Sequence, residues 1–488
     1  MSNPLHILTE ETFVEENAKQ LDKLDNIVIA LQGIAAGQGG HVSVTTWKQI
    51  QQIVRMGLAK KLYSVGDQFI VSKESAITIA CSNNDVHLSI DGHAFVEAMG
   101  EAGNIDYEAT FDGIEWHDGE KNIVLANYGI AITSGTPVEG DKIVVHETAT
   151  DIIFEVMGFD QERIVDQTRE HSMTLCMKYS FDGIVFDATE AFFANRTSAA
   201  LPAGTYNFLL QAHSWYSADV GKYFQFVLTN DLPVGGQLVF QQAYNATLEG
   251  ASVKVYASKN TLNGSPTETV TLTEGRTGTY LGELRNSYDL NAADNYQKCF
   301  NHCQRALLGN NRWSQSAIRQ WCNANAAKGS FWVGQNDFDR HPSWHDSSSG
   351  KDGFLYNLDP ELVSVLGKCV KFNELATCDR SDGVISEDTQ DLVWLLDRFE
   401  IQSCSASEAV APHKPYDYWH MLLGDTYGDW RTDTRFIKTN KAGSPQYWWL
   451  RSPNTGSGYD ARTVYTSGRV DHSDASNGRQ AVVAFAII

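Results

Sequence analysis

The spacing of apolar residues changes character three times along the chain. Residues 10–36 are strongly charged, yet Val14, Leu21, Leu24, Val28 and Leu31 recur at three- and four-residue steps, the period of a heptad seam, with Asn17 in one seam position. The pattern predicts a helix that joins copies of the chain into a trimer or dimer bundle. A helix this short is marginal alone, so the alternative is a single amphipathic helix docked on its own domain. The run from Gly33 to Ser43 is small and flexible and reads as a linker. A second helix follows, with Thr46 as its cap, Trp47, Ile50, Ile53 and Val54 on one face, and Gly57 as its stop.

From Tyr63 to about Arg285 the period shortens to that of strands. Runs such as QFIVS, AITIA, KIVVH, FQFVLT and SVKVYA are separated by Gly, Asp, Asn and Pro turns. More than 200 residues of this kind are too many for one small sandwich. The expected division is a linker and N-terminal helix at 1–45, a mostly-β domain with its leading helix at 46–150, and a β-sandwich at 151–285. Beyond residue 286 most of the chain's twelve tryptophans appear, with two helix signals. RWSQSAIRQWCNANA turns Trp313, Ile318, Trp321 and Cys322 to one side, and DPELVSVLGKCV opens with Asp359 as cap and Pro360 in the first turn. The closing AVVAFAII reads as a strand buried on both faces. The fold class expected is therefore multidomain α+β.

Composition narrows the function. Lys and Arg number 38 against 60 Asp and Glu, a net charge of -22 that repels phosphate backbones and anionic lipid surfaces. Neither nucleic acid nor membrane insertion is expected. The first residues lack the basic-then-apolar pattern of a secretion signal. Eight cysteines at irregular intervals argue for synthesis in a reducing cytoplasm.

The order of segments in the last third carries a resemblance: GNNRWSQSAIRQWCN, FDRHPSW, GFLYNLDPEL, DLVWLLDRFEI, YWWLRSP, a polar stretch, then AVVAFAI. Together these resemble a domain family of unknown function from gut bacteria and their phages that is similar to the C-type-lectin fold. HSMTLCM, FDATEAFF, LPAGTYNF and LPVGGQLVF look like the β-domain that accompanies it. The resemblance implies a lectin-like ligand-binding domain over 286–488, with two helices beside a twisted sheet. Some relatives are similar to the variable proteins of diversity-generating retroelements and to phage tail receptor-binding proteins.

Within that frame, Trp313, Trp321, Trp448, Trp449 and Arg451 read as scaffold: large apolar rings and a planar fork of donors able to brace loop carbonyls. The polar stretch from Asn454 to Gly478 differs. It contains Tyr, Ser, Gly, Asn, Asp, Arg and His, and it lacks Lys, Glu, Gln, Met, Leu, Ile and Phe. That resembles an antibody paratope, and every residue in it has a codon ending in C, as randomisation of the first two bases of AAC codons leaves behind. Surface turns favour much the same residues whatever they do. RTVYTSGRVDH alternates about a TSG turn, predicting a hairpin with Val464 and Val470 inward. The candidate ligand-binding surface is Asn454, Thr455, Ser457, Tyr459, Asp460, Arg462, Tyr465, Thr466, Ser467, Arg469, Asp471, His472, Ser473, Asp474 and Asn477.

Other chemistry is weaker. Cys299, His302 and Cys303 lie one turn apart, with Cys322 as a distant fourth, but without a paired Cys-x-x-Cys they read as buried small residues, so no metal is expected. The segment DRSDGVISEDTQD misses the EF-hand spacing, and the sugar-binding tripeptides of calcium-dependent lectins do not occur. Asp339, His341, His345 and Asp346 lie around Trp344 in a Pro-containing turn, the pattern of a solvated loop rather than an acid–base pair. With no cofactor and no nucleophile motif, an enzyme is not expected. The expectation is a phage tail-associated or surface-displayed adhesin, on the virion or the bacterial cell surface, that meets a host protein or glycan. Its other partners would be its own copies and further tail or virion proteins. The alternative is a structural virion or cell-surface protein with no selected ligand.

Overall fold

The computed structural model describes residues 46–91, 95, 98, 106–191, 193–212, 217–240, 247–262, 264–285, 303–342, 350–380, 383–403, 414–423 and 434–488. The heptad segment, Cys299, His302, His345 and Asp346 lie outside them. Strands in several sheets predominate over a few short helices, a multidomain α+β architecture. The described residues form two compact units, one drawn from within 46–176, 357–369 and 485–488, the other from within 177–356 and 370–484.

In the first unit, α1 (Trp47–Arg55) starts where the capping signal lies: Thr46 accepts from the Gln49 amide, and Gln49 reaches back to the Thr46 amide. Its buried face is Trp47, Ile50, Ile53 and Val54, the four residues expected. Gly57 ends the segment at a φ of 67°, where a β-carbon would also meet the His171 ring. After α2 (Ala59–Leu62) come β1 (Gln68–Cys81), β2 (His87–Ile90), β3 (Asp106–Phe111), β4 (Trp116–Asp118), β5 (Lys121–Ile123), β6 (Ile130–Ser134), β7 (Lys142–Phe159) and β8 (Met173–Met177).

Long antiparallel pairing of β1 with β7, from Gln68↔Glu155 to Cys81↔Ile143, forms the spine of this unit. Strands β3, β4 and β5 extend the sheet on one side of β7, and β2 pairs with β6. Phe95, Tyr107, Trp116, Ile123, Ile130, Ile143 and Val145 close a small core beside them. The expected boundary at 150/151 falls inside β7, which is one unbroken strand. Ladder hydrogen bonds tie both of its halves to β1, so no linker can form there. Two distant segments complete the unit. The helix Pro360–Val365, capped by Asp359, takes the Trp47 indole on Asp359 Oδ2 (3.0 Å) and the Trp47 amide on Glu361 Oε2 (2.9 Å). Gly367 donates to the Ala486 carbonyl, and Phe485 packs on Phe154.

The second unit begins with β9 (Phe181–Val185). A sandwich follows, made of β10 (Phe193–Ala194), β11 (Gly204–Ala212), β12 (Tyr223–Leu228), β13 (Gln237–Phe240), β14 (Ser252–Tyr256), β15 (Glu268–Thr271), β16 (Thr273–Glu274) and β17 (Thr279–Arg285). Its sheets run β10-β13-β14-β15 and β16-β12-β11-β17. Inward residues at every second position, such as Phe224, Phe226 and Leu228 against Leu238, Val253 and Val255, fill the space between them.

Next come α3 (Cys303–Leu308), α4 (Ala317–Asn323), β18 (Cys369–Glu374), β19 (Ser386–Asp391), β20 (Val393–Leu395), β21 (Lys438–Thr439), β22 (Pro445–Gln446), β23 (Trp448–Pro453), β24 (Asp460–Val464), β25 (Val470–Asp474), β26 (Gly478–Ala481) and β27 (Val483–Ile487). β27 is buried throughout, as its unbroken apolar run requires. A five-stranded sheet runs β25-β24-β23-β26-β9. Because β9 precedes the sandwich, the sandwich is inserted into the chain path of this sheet. The expected start of the C-terminal domain at 286 is therefore corrected: its sheet also takes residues 181–185.

Arg451, fully buried on β23, anchors this part. Its guanidinium grips Glu400 with two nitrogens, Nη1 to Oε2 at 2.5 Å and Nη2 to Oε1 at 3.0 Å, and donates to the carbonyls of Leu395 and Phe372 and to Asn373 Oδ1. Lys371 approaches the same carboxylate at 3.5 Å while lying over the Trp394 ring and donating to the Tyr416 hydroxyl. Burial alone would raise the Glu400 carboxyl, but the charges of Arg451 and Lys371 outweigh it and hold the group at about 2.

Replacing Arg451 with Met leaves Glu400 buried with half its partners, and is expected to cost about 3–5 kcal/mol in urea unfolding. The depressed Glu400 carboxyl adds stability that is complete above its unfolded value and disappears as pH falls through about 2, so Glu400→Gln should flatten the acid limb of the stability curve.

Candidate functional site

The scaffold residues read from the sequence are all buried. Each indole finds an acceptor: Trp313 on Asp391 Oδ2 (3.0 Å), Trp321 on the Asp352 carbonyl (2.9 Å), Trp448 on the Phe436 carbonyl (3.1 Å) and Trp449 on the Ile184 carbonyl (2.8 Å). Asp391 also takes the Arg319 Nε and the Thr389 hydroxyl. These bonds fix β23, against which the polar stretch is laid.

The first half of that stretch, 454–460, is a loop held from its protein side. Arg305 Nε donates to the Gly458 carbonyl (2.6 Å), and Asn311 Nδ2 to the carbonyls of Ser457 (2.7 Å) and Asp460 (2.9 Å). Both the amide and the hydroxyl of Thr377 donate to the Thr455 carbonyl at 2.8 Å. The Ser457 hydroxyl receives the amides of Tyr459 and Asp460. Backbone acceptors of the loop are thus largely consumed, and what it presents outward is side chains.

The second half is the expected hairpin. β24 pairs with β25 from Asp460↔Asp474 to Val464↔Val470, and Val464 and Val470 are buried. The five-residue turn closes through the Tyr465 amide on the Arg469 carbonyl, with Gly468 at a φ of 82°. Ser467, Arg469 and His472 are exposed. Asn454, Thr455, Ser457, Tyr459, Arg462, Tyr465, Thr466, Asp471, Asp474 and Asn477 are half-buried. Two expected surface residues are corrected. Asp460 is 6% exposed and Ser473 7%, the first beneath His472 and the second covered by Asn477 and Arg479.

The hairpin tip carries most of the accessible chemistry. Arg469 pairs with Asp471 at 2.6 Å, and His472 Nδ1 lies 2.9 Å from the other Asp471 oxygen. The Tyr465 hydroxyl donates to the His472 carbonyl at 3.0 Å, and its ring packs on Tyr447 at 4.7 Å between centroids. Arg479 lies over the opposite partner, Tyr447, at 4.9 Å. Tyr447 and Arg479 belong to this surface although the sequence reading omitted them. They flank the WWLRSP motif and the polar stretch, and the alternation of strand residues is the signal that points to them.

Burial pushes the Asp460 carboxyl up to about 6. The neighbouring Asp474 adds to that rise, while His472 and the hydrogen bond to Ser457 oppose it. Burial likewise pushes the Cys378 thiol up to about 12 and raises that of Cys322 well above its usual value, so neither supplies a thiolate at neutral pH. Among the described residues no group of three or more His, Cys, Asp and Glu is placed to hold a metal ion, and no helix is long and apolar enough to cross a membrane.

Tyr465→Ala removes a packed aromatic pair and a hydrogen bond, and should lower stability by about 1–2 kcal/mol. His472→Ala, at an exposed position, should stay within about 0.5 kcal/mol of the parent protein in the same denaturation measurement.

Residues 293–487 match the profile of a family described as a domain of unknown function, DUF6273. No curated protein and no solved structure matches the chain. Over that stretch, which includes the loop, the hairpin and the Arg451 anchor, the chain is similar to the DUF6273 domain.

Proposed function

We propose that this protein is a receptor-binding adhesin of C-type-lectin-like type, which contacts a host surface protein or glycan through the 454–479 face. The observation that carries the reading is a division of labour between β23 and the β24–β25 hairpin. Trp448, Trp449, Val464 and Val470 give their side chains to the interior, while Ser467, Arg469 and His472 point to solvent beside Tyr447 and Tyr465. Side chains on such a face can be exchanged without disturbing the fold, which is what a recognition surface under diversification needs.

The mixture is also suitable for contact. The two tyrosines offer stiff amphipathic area, Arg469 and Arg479 offer planar donors, and Ser, Thr and Asn offer adaptable hydrogen bonds. Single contacts of this size are weak, and display in several copies on a tail or cell surface raises them through effective concentration. A retroelement fits the third-base pattern of the stretch; an adjacent near-duplicate template and a reverse transcriptase gene are what that origin requires. The strongly negative net charge keeps the reading away from nucleic acids and anionic membranes.

On an array of bacterial surface glycans and outer-surface proteins, the full chain is expected to bind a restricted set of spots. The double variant Arg469→Ala/His472→Ala should lose at least about tenfold in affinity, roughly 1.4 kcal/mol, with an unchanged melting temperature. Binding that is untouched by the double variant, or an array without specific spots, would favour a structural virion or surface protein with no selected ligand.

A further inference from the structure

We propose that Asp460 and Asp474 form a proton-operated latch at the base of the hairpin, closed when the two carboxyls share one proton and loosened when both are charged. Its role in recognition rests on the reading of this hairpin as the contact surface. The latch itself does not.

The two residues face each other directly across β24 and β25. Partners in that relation hold their side chains close enough to interact, and like charges there destabilise the pair of strands. A hydrogen bond between two carboxyls so placed requires a proton on one of them, because an ionised carboxylate only accepts.

Several polar and charged groups surround the pair, and Asn477 Nδ2 donates to Asp474 Oδ2 at 3.3 Å. On β25 the His472 Nε2 lies 3.8 Å from Asp460 Oδ2 and is charged only when protonated. Its Nδ1 is taken up with Asp471, which also holds Arg469. On β24 the cross-strand partner of His472 is Arg462. From α3, Arg305 approaches the loop beneath, but it spends its guanidinium on the Gly458 carbonyl and on Asp379 at 2.6 Å. Asn311 holds the Asp460 carbonyl and brings no charge. Asp460 is buried and Asp474 half-buried, so the proton resides on Asp460, where desolvation penalises the anion most.

Burial and Asp474 together set the Asp460 transition at about 6. Since its folded value is raised, the stabilisation is complete below the unfolded carboxyl range and is lost as pH rises through about 6. The hairpin is therefore tight in mildly acidic surroundings and looser in neutral ones.

The test is amide hydrogen exchange on the full chain at about pH 5 and about pH 7.5, corrected for intrinsic rates. Protection across residues 460–474 should fall by about fivefold at the higher pH, the size expected when facing like charges weaken one strand pair. Amides of β1 and β7 serve as the control that should not move. Asp460→Asn, whose carboxamide donates to Asp474 without titrating, should keep the protected state at both pH values, and Asp474→Asn should also remove the pH response. His472→Gln should leave the response intact. Equal protection at both pH values in the parent protein overturns the latch, as does a response that survives in Asp460→Asn or vanishes in His472→Gln. The glycan and protein array, run at the same two pH values, separates the two ideas. An empty array with pH-dependent exchange removes the contact-surface reading and keeps the latch, whereas specific spots with pH-independent exchange do the reverse.

Discussion

Arg451 is the constraint from which the arrangement of the candidate site follows. A guanidinium taken wholly out of water is tolerable only if its donors are met, and here Glu400 meets it in two places while strand carbonyls and Asn373 take the remainder. Those acceptors come from residues 372–400, far from β23 in sequence. One side chain thus gathers separate stretches around the strand that bears it, and neighbouring Trp448 and Trp449 are then pinned through their indole nitrogens. The hairpin β24–β25 inherits its position from that strand and needs few fold-bearing side chains of its own.

Much of this was legible in the sequence where a local rule decides the outcome. Thr46 as a cap, the apolar face after it and Gly57 as a stop predict α1, Asp359–Pro360 marks a helix start, and the closing apolar run becomes a strand buried on both faces. The inward valines of the hairpin followed from alternation alone. What was not legible depended on distant segments meeting. Nothing local in Phe181–Val185 says that it pairs with β26, almost three hundred residues later, and a strand such as β7 shows no mark of its neighbour in its own residues. For the same reason a boundary drawn at residue 150, where a second run of strand-like residues begins, cut through continuous pairing.

The site shows the same division. Polarity singled out the stretch 454–478, but polarity cannot tell an outward aspartate from one folded beneath its neighbour. Asp460 and Ser473 look like surface residues by type and become interior ones because His472 lies over the first and Asn477 and Arg479 over the second. Likewise Asp391, Asp397 and Glu400 are three similar acids in one short segment. Only the three-dimensional arrangement distinguishes the partner of Trp313 and Arg319 from the partner of Arg451.

The edge position of β25 has a consequence for crowding. In its pairing with β24 the odd-numbered residues face the partner strand, leaving the backbone groups of Val470, His472 and Asp474 directed away from the sheet. An open border of that kind invites a strand from a neighbouring molecule. Here the His472 carbonyl is occupied by the Tyr465 hydroxyl and the Asp474 carbonyl by the Asn477 amide. Densely packed neighbours would find two of the acceptors along this margin already taken, which weakens the template for strand-to-strand pairing.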